Sequence, residues 1–194
     1  MAGERPLVVV LVGPNGAGKS TSAGLILRDA LAVSEFVNAD SIAGGLSAFR
    51  PETVAVAAGR IMLARVSTLA AAGADFAFET TLSGRSFAPR LAAMKRVGYE
   101  VHLAFLSLPS PDLAVARVAE RVAMGGHDVP ERTVRRRFVA GVRNFFDVYQ
   151  PLANAWQVWD NSVLGGPRLI ASSSVEGAAV VHDPSAWHHL QRLR

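Results

Sequence analysis

One stretch limits what this chain can fold into more than any other. Directly after the apolar run Leu7–Val12 comes Gly13-Pro14-Asn15-Gly16-Ala17-Gly18-Lys19-Ser20, a Walker A pattern. Its glycines let backbone N–H groups turn inward around a phosphate, where side chains would collide. A helix opening at Gly18 adds the partial positive charge of its N-terminus. Lys19 is expected to neutralise the β- and γ-phosphates of ATP, and the Ser20 hydroxyl to ligate Mg²⁺. The expected nucleotide-binding residues are therefore Gly13, Pro14, Asn15, Gly16, Ala17, Gly18, Lys19, Ser20 and Thr21. A strand before the loop and a helix over Gly18–Leu31, with Leu25, Ile26 and Leu31 as core candidates, supply the setting the motif needs.

Strand and helix patterns alternate through the rest of the chain. Phe36–Ala39 reads as a second strand ending at Asp40, and Asp75–Phe78 as a third closed by Glu79-Thr80-Thr81. Tyr99–Leu106 reads as a fourth, with Trp156–Trp159 and Arg168–Ser172 as closing strands. Helices are expected from Pro51 to Ala72, over Ser86–Val97, from a Ser110 cap to about Met124, and over Glu131–Tyr149. The expected fold is α/β of the P-loop NTPase type. It has a parallel sheet of about five strands flanked by helices, in one domain over residues 1–194 with a helical, Arg-rich lid near 121–137.

Composition narrows the partners. Net charge is +4, and acidic residues accompany the basic ones along most of the chain. The densest basic run, Arg135-Arg136-Arg137, lies beside a Gly-rich segment and suits phosphate better than a duplex, so nucleic acid ranks second. There is no cysteine, hence neither a disulfide framework nor a thiolate metal site. The apolar part of Met1–Val12 is too short to span a membrane and carries no cleavage signal. Arg60 and Arg65 interrupt the longest later candidate. A cytoplasmic protein is expected. The adjacent His188 and His189 diverge on a helix and make no metal site.

The loop alone does not identify a reaction. A GTPase would show Asn-Lys-x-Asp, and an ABC ATPase a Leu-Ser-Gly-Gly-Gln followed by an apolar strand ending in Asp-Glu. Neither is present, and Leu82-Ser83-Gly84-Arg85 leads instead to Pro89 and a helix. What remains is a short kinase, which needs a carboxylate near the acceptor hydroxyl and a basic lid over the phosphates. Asp40, at the C-terminal rim of the second strand, is the expected base; its bland alternative is a helix cap. Glu79, at the rim of an otherwise apolar strand, is expected to face metal-bound water or substrate rather than solvent. Thr81, Ser83 and Arg85 complete the acceptor side. In the lid, Arg121 with Arg135 or Arg136 is expected to clamp the triphosphate; the alternative for each is a solvated helix face. His127 reads as a lid hydrogen-bonding residue. Trp156, Trp159 and Asp160-Asn161-Ser162 read as near the adenine, or, for the tryptophans, as core.

Taken together, five stretches resemble the zeta-toxin-like P-loop kinases, in their shorter chromosomal branch. They are Gly13–Thr21, Asn38-Ala39-Asp40-Ser41-Ile42-Ala43, Glu79-Thr80-Thr81-Leu82-Ser83-Gly84, Gly125-Gly126-His127-Asp128-Val129-Pro130 with the arginines after it, and Trp159-Asp160-Asn161-Ser162. The resemblance implies an ATP- and Mg²⁺-dependent kinase acting on the 3′-hydroxyl of the amino sugar in UDP-N-acetylglucosamine or a related sugar nucleotide. It implies Lys19 on phosphate, Ser20 on Mg²⁺ and Asp40 as base. Glu79 and Thr81 would contact the sugar nucleotide, with Arg121 and Arg135 or Arg136 on the triphosphate and an antitoxin protein as partner. The chain is shorter than the plasmid toxins, has Glu79-Thr80-Thr81 for their Glu-Gly-Thr and shows no uridine-binding extension. These departures bear on the acceptor. Two other readings share the loop: a regulatory ATP-binding module with little turnover, and a polynucleotide 5′-kinase.

Overall fold

A computed structural model describes residues 5–163, 165–175 and 177–194, the side chains of 28–30 excepted; the first four residues of the opening segment lie outside it. Strand β1 (Leu7–Val12) is fully covered on both faces, with Val8 to Val12 at 0% exposure. That burial explains why the run is uninterrupted rather than alternating. It is the third strand of a seven-stranded sheet, paired on both sides. The order is β2 (Phe36–Val37), β3 (Phe76–Thr80), β1, β4 (Glu100–Ser107), β5 (Ala155–Asp160), β6 (Arg168–Ser173) and β7 (Val180–Val181). Strands β1 to β5 are parallel. The chain thus leaves β1 at a point where its neighbours, β3 and β4, lie on opposite sides, and such a point opens a crevice at the strands' C-terminal ends.

Seven strands replace the expected five or so, and the last two run antiparallel. The link from β5 to β6, residues 161–167, is too short for the crossover that a parallel neighbour requires. Strand β2 is also shorter than expected. The Asn38 side chain stops it by accepting the N–H groups of Asp40 (2.7 Å) and Ser41 (3.2 Å), capping helix α2 (Ala39–Leu46). Asp40 therefore lies in the first turn of a helix, where its charge suits the helix dipole, instead of at a strand end.

Helix α1 (Lys19–Ala23) widens into a π-helical segment over Gly24–Ala30. The extra residue per turn rotates the buried face, so Ile26 and Leu27 are buried while Leu25, an expected core residue, is 55% exposed. Pro51–Ala71, containing helix α3 (Ala55–Ala71), is long and apolar enough for a membrane span, with mean hydropathy 1.5, which corrects the expectation that Arg60 and Arg65 preclude one. It packs nonetheless by a stripe, burying Ala58, Met62, Val66 and Leu69. The two arginines lie on its exposed side, and Arg65 Nη2 is 2.9 Å from Glu35 Oε2.

Helix α4 (Ala88–Arg96) leads into β4, and helices α5 (Pro111–Ala123) and α6 (Glu131–Asn144) flank the Gly125–Pro130 break. Ser110 caps α5 by accepting the Leu113 N–H at 3.2 Å. Helix α6 continues as π-helical Phe145–Tyr149 and is fastened to the loop after β3. Asn144 donates to Leu82 O at 2.8 Å and accepts from Arg85 Nε at 3.1 Å, while the Tyr149 hydroxyl donates to Gly84 O at 2.8 Å. The two elements approach so closely that a Cβ at Gly141 would lie 2.5 Å from Thr81 O. Helix α7 (Pro184–Arg192) closes the far side, its Trp187 stacked on Trp156 at 5.5 Å. Trp156 thus belongs to the core, beside Phe145.

Candidate functional site

The phosphate loop follows β1 at the crevice, and its shape requires glycine. Gly18 has φ +75° and is the N-terminal boundary of α1; a Cβ there would lie 2.6 Å from Asn161 Nδ2. The same Asn161 amide donates to Ala17 O at 2.8 Å, so the end of β5 buttresses the loop from behind. Gly18→Ala is expected to cost about 1–2 kcal/mol from the left-handed backbone alone. The fall would be read from the denaturant midpoint at unchanged slope.

Strand register sets the next layer. Glu79 on β3 lies opposite Leu11 on β1, two residues before the loop begins, so its carboxylate reaches the loop's end. Ser20 Oγ donates to Glu79 Oε2 at 3.0 Å, Asn38 Nδ2 donates to the same oxygen at 2.8 Å, and Lys19 Nζ is 3.5 Å from Oε1. Lys19 also donates to Pro14 O at 2.9 Å. Burial pushes the Lys19 pKa below its ordinary value; the Glu79 charge and hydrogen bond oppose the shift without cancelling it. The carboxylate is thus held by a hydroxyl, an amide and an ammonium, which offset its desolvation. Ser20 and Glu79 offer hard oxygen donors within reach of one another, a set that fits Mg²⁺. Among the described residues no group of three His, Cys, Asp or Glu could hold a metal. The protein would supply two ligands and leave the rest to phosphate and water, as is usual for Mg²⁺ with a nucleotide.

These groups line a cavity of about 400 Å³ together with Asn15, Gly16, Gly18, Thr21, Asp40, Thr80 and Thr81, and with Arg117 and Arg121 of α5 and Arg137 of α6. The sequence-expected Lys19, Ser20, Asp40, Glu79, Thr81 and Arg121 therefore converge. Gly13, Pro14 and Ala17 shape the loop from outside the lining; Ala17 is fully buried.

Four expected residues do not converge. Arg135 ties α5 to α6, with Nη1 2.6 Å from Asp112 Oδ1 and Nε 2.7 Å from Glu131 Oε1; those two carboxylates raise its pKa. Arg136 is exposed. The physical reason is helical phase. With Val134, Phe138 and Val142 buried, and about 100° per residue, Arg136 points opposite the buried stripe, and Arg135 and Arg137 flank it on either side. Only the placement of α6 against the loop decides between those two, and it selects Arg137. Ser83 receives a hydrogen bond from Thr81 Oγ1 at 3.0 Å but lies outside the lining. Arg85 is spent on Asn144.

Arg121 is held by the Gly125–Pro130 turn: its Nη2 donates to His127 O at 2.6 Å, while Nε is buried without a partner. Arg117, Arg137 and Asn38 are residues that sequence reasoning gave no role, and Asn161, read there as near the adenine, bonds the phosphate loop. Arg117 donates to Asn161 O (2.6 Å) and Ser162 O (2.9 Å), joining α5 to the end of β5 beside the loop. Its spacing of four from Arg121 on one helix face was the available signal. His189 Nε2 contacts Pro109 O at 2.6 Å, just past the end of β4.

Comparison with known proteins agrees with this architecture. Residues 8–139 match the AAA domain family. A Haemophilus influenzae protein described as uncharacterized is 32% identical over 126 residues, covering 65% of this chain and 88% of that one. Among solved structures, a chain of the AvrRxo1-ORF1:ORF2 complex with ATP superposes with a TM-score of 0.75 at 18% identity, covering 97% of this chain. This chain spans 64% of that one. A chain from the PezAT chromosomal toxin–antitoxin system of Streptococcus pneumoniae gives 0.68 at 19% identity, over 100% of this chain and 80% of its own. The likeness to zeta-toxin-like P-loop kinases read from the sequence thus holds at the level of the fold.

Proposed function

The chain belongs to the AAA domain family, and from that premise we propose that it is a kinase transferring the γ-phosphoryl group of ATP to a hydroxyl of a small molecule. The observation that carries the reading is the meeting, in one cavity, of the Lys19–Ser20–Glu79–Asn38 cluster with Asp40 and the three arginines Arg117, Arg121 and Arg137. Lys19 and the loop N–H groups bind the β- and γ-phosphates. Arg117, Arg121 and Arg137 offset charge that spreads over the equatorial oxygens during transfer. Asp40 accepts the acceptor's proton as its oxygen bonds to γ-phosphorus; the bond from phosphorus to the β–γ bridging oxygen breaks and ADP leaves. Mg²⁺, held by Ser20 and Glu79, would supply further charge neutralisation to the phosphates.

In this reading residues 1–194 act as one unit with the lid near 121–137, in the cytoplasm where ATP is supplied. Mass spectrometry of products from ATP, Mg²⁺ and an acceptor panel tests it. A phosphorylated acceptor with stoichiometric ADP is expected, and ATP binding with no transfer to any hydroxyl would favour the regulatory module instead. UDP-N-acetylglucosamine, the acceptor that the resemblance implies, belongs in that panel. An antitoxin partner, implied in the same way, would be read there as loss of transfer on mixing.

A further inference from the structure

The cavity at the phosphate loop is the first of three that share walls. A cleft of about 100 Å³ adjoins it at Ala39 and Asp40, and a larger one of about 470 Å³ adjoins that cleft at Pro51 and His127. The larger runs between the Ala48–Glu52 segment and the Gly125–Pro130 turn of the lid. Its volume is that of an ordinary ligand pocket, so whatever presents a hydroxyl to Asp40 has room for a body of two rings or so.

Charge divides these chambers by sign. Lys19, Arg117, Arg121 and Arg137 all line the first. Among the described residues no Lys or Arg lines either outer cleft; their charged lining is Asp40, Glu52 and Asp128. The neighbouring Arg50 is 76% exposed and its Nε is 3.9 Å from Glu52 Oε1, too loose and too wet a pair to cancel that carboxylate. Phe49, 97% exposed, adds an apolar face at the mouth. A pocket recognises a phosphate or diphosphate with arginine forks or ammonium groups, and an anion lodged here would meet three carboxylates instead.

We infer that the acceptor is a cationic polyhydroxy compound of the amino sugar or aminocyclitol class, its amine-bearing end between Glu52 and Asp128 and one hydroxyl at Asp40. This rests on the kinase reading and narrows its acceptor. The triphosphate enters the basic chamber and the acceptor the acidic one, so each ligand is repelled from the other's place. His127, at the junction, offers a ring nitrogen to an acceptor hydroxyl.

The test compares three probes: neamine as the cationic aminocyclitol glycoside, N-acetylglucosamine as the neutral sugar, and UDP-N-acetylglucosamine as the anion. Binding is followed by calorimetry with the non-hydrolysable analogue AMP-PNP and Mg²⁺, and transfer by ADP release with ATP. Neamine is expected to exceed the anion at least tenfold in kcat/KM, with a KM that rises with salt. The double substitution Glu52→Gln with Asp128→Asn, both at exposed positions, should raise the neamine KM about fivefold and flatten its salt dependence. Preference for UDP-N-acetylglucosamine, or a neamine KM indifferent to both substitutions, overturns the inference. So does nucleotide binding with neamine neither bound nor phosphorylated, which leaves the kinase reading standing. Failure to bind AMP-PNP overturns both.

Discussion

Replacing Lys19 by alanine is expected to lower kcat/KM for ATP-dependent transfer by about a thousandfold, the scale of removing one preorganised group that stabilises transition-state charge. The ammonium is buried between Pro14 O and Glu79, with no other cation of the loop beside it. Its removal takes away both the attraction for the phosphates and the charge that balances Glu79. Lys19→Met, which keeps the stem's bulk and loses the charge, should fall as far. A loss smaller than tenfold in both variants would show that the loop does not carry the reaction. A pH signature accompanies the wild type. Below the Lys19 pKa the ammonium is charged both free and bound, so affinity is flat. Above it, each binding event must take up a proton, and affinity falls about tenfold per pH unit. Because burial lowers that pKa, the fall should begin below the ordinary lysine value of 10.5.

Asp40→Asn separates chemistry from binding. The amide keeps the shape and the position in the first turn of α2 but cannot take the acceptor's proton, so kcat should fall about a thousandfold. ATP affinity should change little, since Asp40 is exposed at the cavity's edge and the loop's own contacts do not include it. The lost charge at the helix N-terminus would cost about 0.3–1 kcal/mol of stability, too little to unfold the chain. Calorimetric titration of ATP beside steady-state transfer gives both numbers. Full activity in the variant would move the base elsewhere, with Glu79 the next carboxylate in the same lining.

The parts of the site legible in the sequence are those governed by local rules. The strand, glycine turn and helix of the loop follow from residues adjacent in the chain, and Glu79 could be read because a carboxylate ending an apolar strand must find partners. The lid arginines were harder. Phase along α6 excludes Arg136, but Arg135 and Arg137 are equivalent about the buried stripe, and only the docking of that helix separates them. Leu25 shows a similar limit: a π-helical turn is a tertiary accommodation that 3.6-residue spacing does not foresee. Asn38 and Asn161 both belong to recognisable stretches, yet each works by reaching an element distant in sequence.

The fastening of α6 to the loop after β3 bears on how such a lid could close. Leu82, Gly84 and Arg85 are bonded to Asn144 and Tyr149, and Gly141 abuts Thr81. Arg137 and Glu79 are thereby carried on one rigid block. Helix α5 is tied as well, by Arg117 to the end of β5 and by Arg135 to α6, so any closing stroke falls to the Gly125–Pro130 turn between the two helices and moves past a guanidinium that stays where it is. The site then resembles a vice with one fixed jaw, in which the spacing between Glu79 and that arginine is a constant of the fold and does not depend on how far the turn has travelled.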